Sequence, residues 1–279
     1  MKNKVLIKAP TKLNLFLKII NKRKDGFHNI FSGLSFLDLY DEVEVKISKN
    51  NSITYTGKFK PKSKIFKNDI ILKTLELLKL NNDIKLKIKI KKNIPTEAGL
   101  GSASTNAAAL IKALISLKII KRFNSNFLSK LGSDVIACFY AKDCIIFGKG
   151  DEIYKDIIFP KYFFILVKPN INLSTSKMYL KFRKLKNTKN LDYYKKFKNN
   201  INIENNTLGN DFEKIAKNND KKITNILNFL SNLKNSSFAR MSGSGSCCYV
   251  AFKKKSDANI AIKTIKKKFP NYWHYLGKK

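Results

Sequence analysis

Residues 13–19 alternate, with Leu13, Leu15, Leu17 and Ile19 on one side and Lys12, Asn14, Phe16 and Lys18 on the other. That period of two predicts a strand. It recurs at Val43, Val45 and Ile47, and most cleanly at Ile84, Leu86, Ile88 and Ile90 against Lys85, Lys87, Lys89 and Lys91. The last reads as a sheet with one buried and one wet face. This strand leads through Asn93-Ile94-Pro95 into a Gly/Ser-rich loop. Residues 106–118 are then apolar almost all round and open on Ala107-Ala108-Ala109, which predicts a closely packed buried helix. A second helix is predicted to begin near Ser133-Asp134.

Beyond Asp143 the pattern is strand (144–147), turn (Gly148 to Asp151) and strand, followed by a buried strand over 162–168 closed by Pro169. Residues 179–206 are rich in Lys, Asn and Tyr with weak periodicity, and read as helix plus loops. The remainder predicts a helix over 222–233, a strand over 237–241, a glycine turn and a strand over 248–252. A helix capped by Ser256 or Asp257 follows, with Ile260, Ala261, Ile265 and Phe269 facing inward, and then a strand over 272–276. Together with the strand at Tyr162 this resembles a βαββαβ-type unit. The fold class is α+β, with a boundary between Ile153 and Pro160 that separates domains 1–155 and 156–279. No internal repeat is apparent.

A chain of 279 residues suffices for one large domain or two ordinary ones. Its 43% hydrophobic and 11% aromatic content excludes a disordered or collagen-like protein. No apolar run approaches the roughly 18–20 residues of a membrane helix. Met1-Lys2-Asn3-Lys4 passes straight into a strand-like stretch, without a signal peptide's apolar region or cleavage site. A soluble, cytoplasmic protein with no membrane partner is expected.

The net charge of +36 raises the hypothesis of a nucleic-acid or membrane-surface partner. Of the 56 basic residues only Arg23, Arg122, Arg183 and Arg240 are arginines, whereas bidentate readout of bases or phosphates favours Arg. The lysines are spread along nearly the whole chain beside Asn and Ile, with no aromatic-interleaved stripe. Solvated faces are the simpler reading, and no specific nucleic acid is implied. The four cysteines (Cys138, Cys144, Cys247, Cys248) form no Cys-x-x-Cys pair, and the histidines are only His28 and His274. Buried reduced thiols are expected rather than disulfides or structural zinc.

The loop from Pro95 through Thr96, Glu97, Ala98, Gly99, Leu100, Gly101, Ser102, Ala103, Ser104 and Thr105 carries the most chemistry. Two spaced glycines let a backbone approach closely, N–H groups converge at a helix start, and three hydroxyls add donors: the parts of a phosphate cradle. G-x-x-x-x-G-K-[ST] occurs nowhere, which excludes a P-loop NTPase. Gly99-Leu100-Gly101 lacks a third glycine at dinucleotide spacing, which argues against a Rossmann cofactor site.

This loop resembles that of the GHMP kinase superfamily, Pro-x-x-x-Gly-Leu-Gly-Ser-Ser. Ala9-Pro10-Thr11-Lys12-Leu13-Asn14-Leu15, then Arg23-Lys24-Asp25-Gly26-Phe27-His28, is similar to the start of its 4-diphosphocytidyl-2-C-methyl-D-erythritol kinase family. Leu131-Gly132-Ser133-Asp134-Val135 and Arg240-Met241-Ser242-Gly243-Ser244-Gly245 resemble two further motifs of that family. Gly148 to Glu152 and Asn210-Asp211-Phe212 are weaker echoes. The matches fall in family order along nearly the whole chain. The chain departs from the pattern at Gly101-Ser102-Ala103, where the family has three glycines, at Phe27 for Tyr, and at Ile136 for Pro.

The resemblance implies a two-lobed kinase, with an N-terminal lobe like ribosomal S5 domain 2 and a ferredoxin-like C-terminal lobe. It implies ATP with Mg²⁺ and phosphorylation of the 2-hydroxyl of a CDP-alcohol in non-mevalonate isoprenoid-precursor synthesis. A homoserine- or mevalonate-type kinase is the nearest alternative, and a basic nucleic-acid-binding protein a more distant one. A lone Asp at a helix start is most simply an N-cap; the resemblance makes Asp134 the base that accepts the hydroxyl proton. Lys12, by itself one surface lysine among many, is placed by resemblance beside Asp134 and the transferring phosphoryl. Residues 95–105 would bind ATP. Asn14, Phe27, His28, Thr175 and Tyr179 would bind substrate, with Phe27 and Tyr179 on the two faces of the cytosine and His28 at its edge. The Gly243-Ser244-Gly245 loop would approach the site. No protein ligand to the metal is evident, with Glu97 and the loop hydroxyls as candidates. The oligomeric state is open between monomer and homodimer.

Overall fold

The structure, a computed structural model, describes residues 3–61, 69–121, 125–182, 201–204 and 208–279. Its elements are β1 (Lys4–Lys22), β2 (His28–Ile47), β3 (Ser52–Thr56), α1 (Ile70–Leu78), β4 (Leu86–Lys91), α2 (Ser102–Ser116), α3 (Ser125–Leu131), α4 (Val135–Tyr140), β5 (Cys144–Phe147) and β6 (Glu152–Tyr154). They continue with β7 (Phe163–Lys168), α5 (Thr175–Phe182), α6 (Phe212–Asn219), α7 (Lys221–Ser231), β8 (Phe238–Met241), β9 (Cys248–Phe252), α8 (Lys255–Lys268) and β10 (Trp273–Lys278). Two compact units are distinguishable. The first comprises Met1–Lys12, Leu39–Thr96 and Gly101–Ala141; the second comprises Leu13–Asp38, Glu97–Leu100 and Lys142–Lys279.

In the first unit β4 pairs antiparallel with β2, from Glu42↔Lys91 to Ile47↔Leu86, and parallel with β3. The β4 alternation is as its sequence predicts, with Leu86, Ile88 and Ile90 buried and the lysines between them exposed. These side chains meet Val43, Val45 and Ala9, and on the helical side Ile71, Ala109, Leu110, Ala113 and Leu114. Asp69 caps α1 by accepting the Ile71 N–H at 2.7 Å.

In the second unit β2 pairs with β5 through Leu34↔Cys144, and β5 with β6. A four-stranded antiparallel sheet runs β10-β7-β9-β8, with α7 and α8 packed on it. All four cysteines are buried and none is in a disulfide, and burial pushes the Cys247 thiol up to about 12, so it is a packing residue at neutral pH.

Several expectations shift. The helix expected from Asn106 starts at Ser102, because its first turn is polar and the apolar pattern begins one turn later. In β1 residues 11–17 are all buried, so Lys12, Asn14 and Phe16 face no solvent. The last helix begins at Lys255 with no side-chain cap: Ser256 and Asp257 lie inside its first turn, where a carboxylate complements the helix dipole. Its inner face is Ala258, Ala261 and Ile265, while Ile260 is 68% exposed. Within 179–206, α5 is present up to Phe182, and residues 183–200 and 205–207 lie outside the described residues. Among the described residues no helix is long and apolar enough to cross a membrane.

Candidate active site

Two glycines shape the loop after β4. Gly99 has φ +72°, and a Cβ there would lie 2.0 Å from the Ser242 carbonyl oxygen. Gly101, at the N-cap of α2, has φ +68°, and a Cβ there would lie 2.9 Å from Lys12 Cε and 3.0 Å from Lys12 Cβ. A side chain at either position would be strained. From Gly101 the chain enters α2, whose first N–H groups have no partner inside the helix and suit an anion. Thr105 is already committed: its N–H donates to the Gly101 carbonyl at 2.9 Å, and its hydroxyl donates to backbone carbonyls of the same turn. Ser102 is engaged elsewhere, as described below. Of the hydroxyls of Ser102, Ser104 and Thr105 this leaves Ser104, half-buried, for a ligand.

In the same unit Lys12 Nζ lies 3.0 Å from Asp134 Oδ2, with side chains 4% and 27% exposed. Asp134 precedes α4 at the N-cap position, yet its side chain caps no backbone N–H. Its carboxylate is turned to the lysine and remains partly open to solvent. The plain-cap alternative therefore lacks the hydrogen bond that defines it. Gly101 packs on the stem of the same lysine, so loop, cation and carboxylate are adjacent.

Sequence reasoning did not single out Asp41, which is fully buried. Its Oδ1 accepts the N–H groups of Asn93 (2.6 Å) and Ile94 (2.8 Å), and its Oδ2 accepts the Ser102 hydroxyl (2.8 Å) and pairs with Lys92 Nζ. Burial pushes the Lys92 pKa below that of an ordinary lysine, against the pull of Asp41. The cluster ties the end of β4 to the first residue of α2 and so holds the loop at both ends. A signal existed: Asp41 occupies the inward register shared by Leu39, Val43 and Val45. Asp41→Ala should destabilise the protein by about 3–5 kcal/mol, since it strands a buried ammonium and two N–H groups. Thermal melting would then drop by on the order of 10 °C; a shift of a degree or less would remove the cluster from any structural account of the loop.

In the second unit Asn14 is buried, its amide donating to Ser32 Oγ at 2.9 Å and its N–H to Ser242 Oγ at 3.2 Å. Ser242 Oγ donates in turn to the Gly99 carbonyl (2.8 Å), and Cys247 N–H to the Ala98 carbonyl (3.1 Å). The β8–β9 turn is thereby bonded to the start of the Gly-Leu-Gly loop. Thr175, exposed at the start of α5, shares a hydrogen bond with Ser244 Oγ at 2.7 Å.

His28, buried, stacks on Tyr179 with ring centroids 5.1 Å apart at 26°. Phe212 meets Tyr179 edge-on at 4.8 Å. Phe27 does not join them. It is 60% exposed, because Asp25 Oδ1 accepts its N–H at 3.1 Å in a turn at Gly26, and neighbouring side chains at a strand start project oppositely. The structure therefore brings His28 and Tyr179 together and leaves Phe27 at the surface. Glu97 is exposed on the loop, Pro95, Ala98 and Leu100 are buried, and Thr96 and Ala103 are exposed. Among the described residues no group of three His, Cys, Asp or Glu side chains could hold a metal ion.

Two family descriptions match the chain: GHMP kinases N terminal domain over residues 69–142 and GHMP kinases C terminal over residues 193–271. The 4-diphosphocytidyl-2-C-methyl-D-erythritol kinase of Pelagibacter ubique (strain HTCC1062) is 36% identical over 279 residues, 97% of each chain. That of Prochlorococcus marinus (strain MIT 9215) is 31% identical, covering 97% of this chain and 94% of the relative. The crystal structure of a 4-(cytidine 5'-diphospho)-2C-methyl-D-erythritol kinase superposes with a TM-score of 0.77 at 20% identity over 98% of both chains, a likeness of fold.

Proposed function

The chain belongs to the 4-diphosphocytidyl-2-C-methyl-D-erythritol kinase family of GHMP kinases, and from that premise we propose that it transfers the γ-phosphoryl group of ATP to the 2-hydroxyl of 4-CDP-2-C-methyl-D-erythritol. The products are ADP and the 2-phosphate, a step of isoprenoid-precursor synthesis in the cytoplasm. The observation that carries the reading is the Lys12–Asp134 pair at 3.0 Å, with Gly101 packed on the lysine.

Phosphoryl transfer needs an anion cradle, neutralised charge and a positioned hydroxyl more than it needs covalent help. The backbone N–H groups that open α2, from Gly101 to Ser104, cradle phosphate oxygens, and Gly99 and Gly101 let the chain come close. Asp134 orients the acceptor hydroxyl and takes its proton as the new P–O bond forms. Lys12 balances the charge that builds on the transferring group. Magnesium, when bound with ATP, would supply neutralisation of phosphate charge. The donor set suits an ion carried largely on phosphates and water, to which Ser104 would add a hydroxyl contact. The N- and C-terminal functions are assigned to residues 1–155 and 156–279, a division supported by family matches that lie on either side of it.

Tyr179 supplies the stacking face for cytosine, His28 the edge contact, and Phe27 a solvent-facing ring at the rim; Asn14 and Thr175 complete the acceptor contacts. Stacking tolerates any base, whereas a polar edge contact discriminates. Tyr179→Ala should therefore weaken CDP- and UDP-linked alcohols alike, by about 1–3 kcal/mol in kcat/KM. His28→Ala should instead erode the preference between them. Equal use of the two alcohols by the wild type would count against the cytidine assignment. The direct test of the function is coupled ADP release with the CDP-alcohol, homoserine and mevalonate in parallel. Turnover confined to the first is expected, and preference for either of the others would overturn the assignment.

A further inference from the structure

Asn210, Asp211 and Phe212 concentrate side-chain bonds that the reaction as described leaves unused. The Asn210 amide, 6% exposed, donates to the Met241 and Gly243 carbonyls at 2.7 Å each, and its Oδ1 accepts the Phe212 N–H at 2.9 Å. Its orientation is thus fixed at both ends. Asp211 donates its N–H to the Leu17 carbonyl (2.9 Å), accepts the Ile19 N–H (2.8 Å) and pairs with Lys18. Phe212 is buried with its ring against Tyr179. Three consecutive residues thereby reach the turn that holds Gly99, the strand that carries Asn14, and the ring that stacks on His28.

We propose that Asn210-Asp211-Phe212 is a positioning segment for this site. Asn210 sets the Ser242-to-Gly245 turn and, through the bonds that Ser242 and Cys247 make to the Gly99 and Ala98 carbonyls, the start of the phosphate loop; Phe212 sets the plane of Tyr179 for the base. A glycine-rich turn has little intrinsic preference for one conformation, so its shape depends on bonds from outside it. The Asn210 amide supplies two of them, on carbonyls flanking Ser242. Tyr179 is stacked on His28 and stands at 87° to the Phe212 ring, so the Phe212 ring limits how Tyr179 can tilt. The segment touches neither substrate and acts through the turn and the ring. The inference rests on the function proposed above.

The test splits the two arms in the full-length enzyme. Asn210→Asp keeps size and the acceptor for Phe212 N–H but points an oxygen at two carbonyls. It should raise KM for ATP about tenfold, the scale of lost hydrogen bonds, with KM for the CDP-alcohol within about twofold. Phe212→Leu stays apolar but loses the ring edge, and should do the reverse. Asn210→Ser, which retains one donor, takes the place of Asn210→Asp if that variant does not fold. Both KM values rising together in either variant, or neither moving in folded protein, would reduce the segment to a fold element. If the wild type does not phosphorylate the CDP-alcohol, the proposed function falls by itself. Calorimetric binding of ATP and of cytidine diphosphate to the same variants then decides the positioning separately, by the same split or its absence.

Discussion

Asp134→Asn should lower kcat by about 10²–10⁴, the usual range for loss of a general base, with KM for both substrates little changed. The substitution preserves shape and leaves an amide oxygen that can still accept from Lys12. It removes the group that takes the proton. Stability should hold, because the Asp134 side chain caps no N–H of α4 and is partly solvated. Kinetics and thermal melting of one sample therefore separate the two roles an Asp can have at a helix start: a cap loses stability and a base loses rate. Lys12→Ala should lower kcat more than it weakens ATP binding, since its contact strengthens as charge develops in the transition state. Near-normal turnover in Asp134→Asn would leave Asp134 only an ion-pair partner of Lys12.

Gly101→Val should raise KM for ATP sharply and also depress kcat. A β-branched residue at φ +68° carries backbone strain of about 1–3 kcal/mol. The second effect follows from the packing. The new Cβ would sit 2.9 Å from Lys12 Cε, so the ammonium that faces Asp134 must move. Misplacement by about 1 Å can cost on the order of 10² in rate. Gly101→Ala should show both effects more weakly, because it adds the Cβ without the branch. Steady-state ATP kinetics checked against the melting curve make the measurement; unchanged kinetics in a folded valine variant would discard the loop as the phosphate site.

The candidate site was legible where its chemistry is local in the chain. The residues of the Gly-Leu-Gly loop are consecutive, and the strand before and helix after it announce themselves by period. Its limits were less legible. The helix start was placed late because Ser102, Ser104 and Thr105 read as loop donors, while Thr105 already closes the first helical turn. Phe27 read as one half of a sandwich because Asp25-Gly26-Phe27-His28 resembles the family's motif; its exposure beside buried His28 was not legible there. Asp41 went unnoticed because a single acid in the register of Leu39 and Val43 resembles a lapse in pattern until its four partners are in view. The inward placement of Ile260 was wrong for a related reason. An apolar residue on an amphipathic helix can fall off the buried stripe, and only the sheet beneath decides where the stripe lies.

By itself the sequence determined what is set by short-range periodicity and turn chemistry: the alternating strand at β4, the α+β order of elements, and the two spaced glycines that let a backbone approach closely. It also carried the family's motifs in order, and with them the class of reaction. The resemblance placed Lys12 beside Asp134, and the tertiary structure gave such pairings their geometry. Lys12 meets Asp134, His28 meets Tyr179, and Asn210 reaches the carbonyls on either side of Ser242. Each of these joins groups far apart in the chain, where periodicity carries no information. Burial of the surrounding apolar faces fixes where such groups end up, and a buried polar group must then find a partner or destabilise the fold.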